Sequence, residues 1–235
     1  MSLLEALRRP HRFVALHRRH GRRPFRLLDV GAGNHSASVT KRWFPACHYA
    51  GVDRDRNYNN DARDFAAMDE FFELDLTRLE FGAIPDASYD VVLLAHVIEH
   101  LANGDQVLRA LVPKLRPGGM MVVEFPGPRS MRLPSKKGTL NFHDDATHVR
   151  VFDAREVAGI LRDCGLEIVK AGTRRDWRGI LLLPVFAFRA KQQHGYVPGG
   201  VLWDLFGFAD EVVAVKPPAG PVPAEPYASA PHTTQ

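Results

Sequence analysis

The chain has 235 residues, of which 45% are hydrophobic and 25% charged, and a net charge of +4, values that suit one soluble domain with a sizeable core. No apolar run reaches the roughly 20 residues that cross a bilayer, and the opening MSLLEALRRPHRFVALHRRH scatters arginines where a secretory signal has an apolar centre. Two distant cysteines, Cys47 and Cys164, offer neither a disulfide framework nor a zinc site, so a cytoplasmic protein is expected.

Residues 1–25 read as a basic helical arm. Residues 1–26 hold eight arginines against one acid, Glu5, an excess larger than the net charge of the whole chain, so the remainder is negative. Such an arm can dock on anionic lipid or nucleic acid, or lie solvated across its own domain. From residue 26 to 217, short β-rich apolar runs alternate with amphipathic stretches, the pattern of a parallel sheet covered by helices. The first run, LLDVGAGNHS at 27–36, ends a strand at Asp29 and continues with Gly31 and Gly33. Those glycines let the main chain turn and approach a ligand with no Cβ between. Where a pyrophosphate-binding loop carries a third glycine stand Asn34, His35 and Ser36. A strand at 48–53 then ends in Asp53, twenty residues after Gly33, where a carboxylate can accept both hydroxyls of a ribose. The missing glycine argues against NAD or FAD, whose pyrophosphate needs close approach of the helix start. It admits S-adenosylmethionine, which has no phosphate and a cationic sulfur, and Asp29 complements a ligand ammonium group. A plain turn and a plain helix cap would use the same residues.

Further strands are expected near 71–76, 89–95 and 119–125. Past them, NFHDDATHVRVF at 141–152 leads into a helix that Asp153 caps, with Glu156 three residues on; Val157, Ile160, Leu161 and Cys164 line one face, and Gly165 ends it. Within that stretch, His143 and His148 are candidates for a general base or an acceptor-positioning group, because imidazole titrates near neutral pH. His143, Asp144, Asp145 and His148 would also suit a divalent ion, although no metal is assigned. LEIVKAGTRRDW and DEVVAVKP read as two more strands. Between them, residues 178–209 form an apolar insertion broken by Pro184 and glycines. It is expected to pack into the core, with a lid, a membrane-surface contact or a dimer face as the other readings. Residues 218–235, rich in proline and alanine, are expected to be disordered.

Taken in order, these segments resemble a class I S-adenosylmethionine-dependent methyltransferase of the small-molecule type over about residues 26–170. LLDVGAGN resembles that family's first motif, GVDRD the acidic end of strand two, ELDLT the segment near the adenine, IPDASYDVVLLAHVIEHL the fourth-strand signature and LRPGGMMVVEFP the fifth strand; His35 departs from the third glycine. The resemblance implies a Rossmann-like, doubly wound seven-stranded sheet, mostly parallel with an antiparallel last strand, in a three-layer α/β/α arrangement. It implies S-adenosyl-L-methionine as cofactor. Asp29, Gly31 and Gly33 would then border the methionine end, Asp53 the ribose and Arg54 the adenine. Asp75 and Leu76 would face the adenine amino group, and Ala95 and His96 would close the pocket under the sulfonium. Glu99 and His100 belong to the same signature and serve equally well as local hydrogen-bonding groups. A similar histidine-containing stretch in ubiquinone-pathway O-methyltransferases points first to His148 and then to His143 on the acceptor side. The acceptor implied is a small molecule, most simply an oxygen of a sugar, lipid-linked or secondary-metabolite intermediate, with peripheral lipid contact through 1–25 or 178–209. No Asn-Pro-Pro-aromatic stretch follows the fourth strand, where HVIE stands, which argues against nucleic acid. A nicotinamide-dependent oxidoreductase shares only the first two motifs, and a non-catalytic module retaining the fold is the remaining alternative.

Overall fold

The apolar runs lie side by side in one sheet. In the computed structural model, which describes residues 10–219, β1 (Phe25–Val30), β2 (Cys47–Asp53), β3 (Glu70–Glu73), β4 (Tyr89–Ala95), β5 (Leu115–Pro126), β6 (Glu167–Thr173) and β7 (Ala209–Val215) pair in the order β3-β2-β1-β4-β5-β7-β6. β7 runs antiparallel to both β5 and β6, and the pairs on the other side of β5 are parallel. Successive side chains point to opposite faces, and both faces are dry. Leu28, Val30, Ala50, Val52, Val92, Leu94, Met121, Val123 and Phe125 belong to one core, while Phe25, Leu27, Tyr49, Val91, Leu93, Met120 and Val122 belong to the other.

Helices cover each core. On the second lie α1 (Phe13–His20) and α2 (Ser36–Trp43), with Ala67 at the end of α3 (Ala62–Ala67) packed against its edge; on the first lie α4 (Gly104–Leu111) and α5 (Ala154–Asp163). The basic N-terminal segment therefore contributes a layer of the fold: Phe13 and Leu16 of α1 are fully buried, and the Phe13 and Phe25 rings meet Phe44 edge-on at 5.4 and 5.3 Å. Burying each such side chain contributes about 1.5–3 kcal/mol. Residues 1–9, like most of the tail expected to be disordered, lie outside the described residues.

The helix after Asp153 forms as its pattern predicts. The Asp153 carboxylate accepts from the Arg155 amide at 2.7 Å, and Gly165 takes φ +83° beyond its end. Glu156 turns away from the cap and accepts from Arg150 at 2.6 Å. The strand expected at 71–76 stops at Glu73, because Asp75 caps a single 3-10 turn, accepting from the Thr77 amide at 3.0 Å and its hydroxyl at 2.7 Å; such side-chain bonds compete with the strand ladder.

The 178–209 insertion is mostly exposed or half-buried and enters the core at Ala190, Phe208 and Ala209. It folds as α6 (Trp177–Leu181), α7 (Leu183–His194), a 3-10 turn and α8 (Trp203–Phe206), with Ala190 and Gly199 buried between residues 178 and 206. Trp177 and Leu181 of α6 are 72% and 81% exposed, and Val185 and Phe188 of α7 are exposed as well. No helix of the described residues is long and apolar enough to cross a membrane.

Candidate cofactor and acceptor site

The glycine loop leaves the carboxyl end of β1 and is tied to its neighbour, with the Gly31 and Ala32 amides donating to Val52 O at 2.8 and 3.1 Å. Gly31 has φ +81°, and a Cβ there would stand 2.5 Å from a Val97 methyl; at Gly33 it would stand 2.6 Å from the Tyr58 ring. The missing third glycine is replaced by two polar residues in the left-handed region, Asn34 (φ 54°) and His35 (φ 59°), where Asn and His are enriched among non-glycine residues. His35 is held there by the Asn60 side chain, which accepts its amide at 3.2 Å, and by Asp64, 2.7 Å from its Nδ1. The loop so fixed starts α2 without the third glycine.

Asp29 lies beneath this loop, buried, with Oδ2 accepting from the Ser36 hydroxyl at 2.5 Å and the Tyr49 hydroxyl at 2.7 Å. Burial pushes its carboxyl above the ordinary range, against the nearby Arg12 and these two donors. Asp53 ends β2 part-exposed, with Oδ1 accepting from the Asp55 amide at 3.3 Å, and burial raises its pKa as well. Arg54 beside it is exposed. Asp75 is exposed and held below the ordinary range by Thr77, while Leu76 is buried.

At the end of β4, Ala95 is part-buried and His96 adopts φ +58°. Its Nδ1 and Nε2 lie 3.2 Å from Glu99 Oε1 and 3.2 Å from Glu124 Oε1. Burial alone would lower its pKa, but the two carboxylates raise it to about 9. A carboxylate facing each ring nitrogen favours the charged imidazolium, in which both nitrogens donate. It rests against Trp203 at 4.8 Å between ring centres. Glu124 in turn accepts from Arg174 at 2.8 Å, and Arg174 also reaches Asp204 at 3.1 Å.

On the acceptor side the histidines separate. His148 places Nδ1 2.6 Å from Phe142 O; since a carbonyl only accepts, Nδ1 carries a proton, and Nε2 faces Asp145 Oδ2 at 3.9 Å. Its ring lies 4.8 Å from that of His100, and Glu99, His100 and His148 each offer a ligand atom within 4.8 Å of the others. The Glu99 carbonyl accepts from the Val149 and Arg150 amides at 2.9 and 3.2 Å, which moors the loop to the end of β4. His143 is exposed, edge-on to Phe142. Among the described residues, His143, Asp144, Asp145 and His148 do not come together as a group that could hold an ion. Asp144 accepts from the amides of Lys136, Leu140 and Asn141 and from the Ser135 hydroxyl, and Asp145 from Thr147. A cation here would meet Glu99, His100 and His148 instead.

Sequence reasoning missed the buried charges Glu124, Arg174 and Glu211. The signal available was a glutamate inside the apolar run MMVVEF and the acidic pair Asp210–Glu211 opening the apolar run of DEVVAV.

Residues 4–171 match the family model described as a methyltransferase domain. The chain belongs to the class I methyltransferase family. A probable S-adenosylmethionine-dependent methyltransferase of Mycolicibacterium smegmatis is 36% identical over 85 residues, covering 36% of this chain and 31% of that protein. A ubiquinone biosynthesis O-methyltransferase of Aeromonas salmonicida is 31% identical over 103 residues, covering 42% of each. Both matches span well under half of these curated relatives. Among solved structures, an S-adenosylmethionine-dependent methyltransferase from Archaeoglobus fulgidus superposes with a TM-score of 0.57 at 19% identity, over 90% of this chain and 97% of that one. In this family member the glycine loop with Gly31 and Gly33, Asp53, and Ala95 with His96 stand at the carboxyl ends of β1, β2 and β4, where open α/β sheets bind ligands.

Proposed function

We propose that this methyltransferase binds S-adenosyl-L-methionine over Gly31, Gly33 and Asp53, with Arg54, Asp75 and Leu76 around the nucleoside and Ala95 and His96 closing the pocket under the sulfonium, and transfers its methyl group to an oxygen of a small-molecule acceptor. Asp29 serves the methionine end by fixing the loop through Ser36 and Tyr49. Methyl transfer is an in-line displacement in which an oxygen–carbon bond forms as the sulfur–carbon bond breaks, and neutral S-adenosylhomocysteine leaves. Most of the acceleration comes from holding the reacting atoms within about 3–3.5 Å and collinear. The acceptor proton goes to His148 Nε2. The observation that supports this role is the Nδ1 contact to Phe142 O, which orients the ring and turns Nε2 away from that carbonyl, whereas both ring nitrogens of His96 are taken up by Glu99 and Glu124.

His148→Gln is expected to lower kcat by about 10²–10⁴-fold and leave S-adenosylhomocysteine affinity unchanged in calorimetry. His143→Gln, on an exposed ring, leaves kcat near the native value. The acceptor comes from a screen of metabolite pools with labelled cofactor. A native rate in His148→Gln would move the base elsewhere.

The exposed apolar side chains of Trp177, Leu181, Val185 and Phe188, with Arg178, Arg189 and Lys191 exposed on the same two helices, support a lipid-linked acceptor reached from an anionic membrane surface. Leu181→Glu with Phe188→Glu is expected to abolish co-sedimentation with anionic phospholipid vesicles while the melting temperature is kept. Equal sedimentation of wild type and variant would remove the lipid-linked reading.

A further inference from the structure

We propose that His11, Glu124 and Glu211 form a binding site for a divalent transition-metal ion, separate from the acceptor-side histidines. The antiparallel register of β5 and β7 sets Glu124 opposite Glu211. Both project to the sheet face lined by Met120, Val122 and Val213, and His11 enters from the turn before α1. The three side chains are 7%, 4% and 2% exposed.

One oxygen of each glutamate is engaged: Glu124 Oε1 accepts from Arg174 and His96, and Glu211 Oε2 from Lys170. The remaining atoms, Glu124 Oε2, Glu211 Oε1 and His11 Nδ1, are buried and have no hydrogen-bond partner among the described residues, although buried polar groups are ordinarily satisfied. They point at one another, with His11 Nδ1 at 3.5 Å from Glu124 Oε2 and 3.4 Å from Glu211 Oε1. Those separations exceed an N–H···O bond of about 2.7–3.2 Å. They equal the edge of a tetrahedron, about 3.4 Å, whose corners lie about 2.1 Å from a zinc ion.

An imidazole and two carboxylates suit zinc, manganese or ferrous iron. Three protein ligands leave the fourth tetrahedral position for water or a substrate atom. Arg174, His96 and Lys170 supply the outer contacts that fix ligating carboxylates in metal sites. The site shares no ligand with the Glu99, His100 and His148 group, and His96 bridges the two through Glu99 and Glu124. The competing occupant is a proton on His11 Nδ1, which would draw the ring to hydrogen-bonding distance of one carboxylate.

The test titrates the chelator-treated full chain with Zn²⁺ by calorimetry and with Co²⁺ by visible absorption, with no cofactor or acceptor present. One equivalent is expected to bind, Co²⁺ giving the intense bands of a tetrahedral site and Zn²⁺ raising the melting temperature. His11→Ala and the isosteric Glu211→Gln, checked for native near-ultraviolet circular dichroism, are each expected to weaken binding about tenfold or more. His148→Ala leaves it unchanged. The proposal is overturned if wild type binds no stoichiometric ion, which leaves a protonated His11 as the occupant. It is also overturned if binding survives in folded Glu211→Gln, or disappears with His148→Ala and survives His11→Ala, which would put the ion on the acceptor side. S-adenosylhomocysteine affinity is read separately, so failure of either reading leaves the other standing.

Discussion

Arg174→Met is expected to lower the unfolding free energy by about 3–5 kcal/mol, the usual consequence of stripping one partner from a buried ion pair. Arg174 is 7% exposed, donates to Glu124 at 2.8 Å and to Asp204 at 3.1 Å, and lies over the Trp203 ring. The variant keeps most of the side-chain volume and leaves Glu124 with His96 as its principal compensating charge. Burial works to raise the Glu124 carboxyl, but Arg174 and the neighbouring imidazoles outweigh it and hold the group well below the ordinary range. A depressed carboxyl stabilises the fold above its unfolded pKa and loses that contribution as the pH falls through the folded value. The gap between wild type and variant should therefore be full at neutral pH and narrow on acidification below the ordinary glutamate range. Urea unfolding is the measurement: a lower midpoint at unchanged slope reports the stability difference. A loss under about 1 kcal/mol would place this pair in the class of weak surface bridges. Arg174→Lys, which keeps the charge and loses the planar two-sided reach, should fall between the two.

Asp53→Ala should weaken S-adenosylhomocysteine binding by about 1.5–3 kcal/mol, the range for a hydrogen bond to a charged group, or about 10- to 150-fold in Kd. The carboxylate ends β2 half-buried, its pKa pushed up by burial, with the Asp55 amide at 3.3 Å and the Arg54 amide and charge opposing that rise. A carboxylate in that condition gains from two hydroxyl donors, and its removal disturbs little of the fold. The unfolding midpoint should accordingly stay near the native value while the calorimetric affinity falls. An unchanged affinity in the folded variant would place the ribose away from β2.

The strands, the helix after Asp153 and the glycine loop were legible because each is a local pattern: alternation buried on both faces, a cap followed by a periodic apolar face, and small residues where a turn is tight. The end of β3 was misplaced because Asp75 prefers its own Thr77 to the ladder. The apolar composition of the insertion points to the core, which Phe208 and Ala209 reach while Leu181 and Phe188 face outward; composition does not say which side of a helix finds a partner. His143 and His148 were indistinguishable by type and neighbourhood, and the separation came from a single carbonyl, Phe142 O, placed within reach of one ring. Least legible was the charged cluster. His11, Glu124, Arg174 and Glu211 lie far apart along the chain, and each is one polar residue in an unrelated segment. Strand register and the seating of α1 bring them together, and neither follows from a local window.

The insertion of β7 between β5 and β6 has one further consequence. Where the excursion leaves β6 and where it returns, the chain touches itself: the Arg174 amide donates to Ala209 O at 2.8 Å. Everything from α6 to α8 thus hangs from a closed neck, and changing the length of such a loop alters closure entropy only slowly, by about 0.6 kcal/mol per doubling. Beyond that neck the excursion is tied down again, Trp203 Nε1 donating to Thr139 O at 2.6 Å and Asp204 accepting from Arg174 at 3.1 Å, so a change in its length is felt at the buried charges beneath His96.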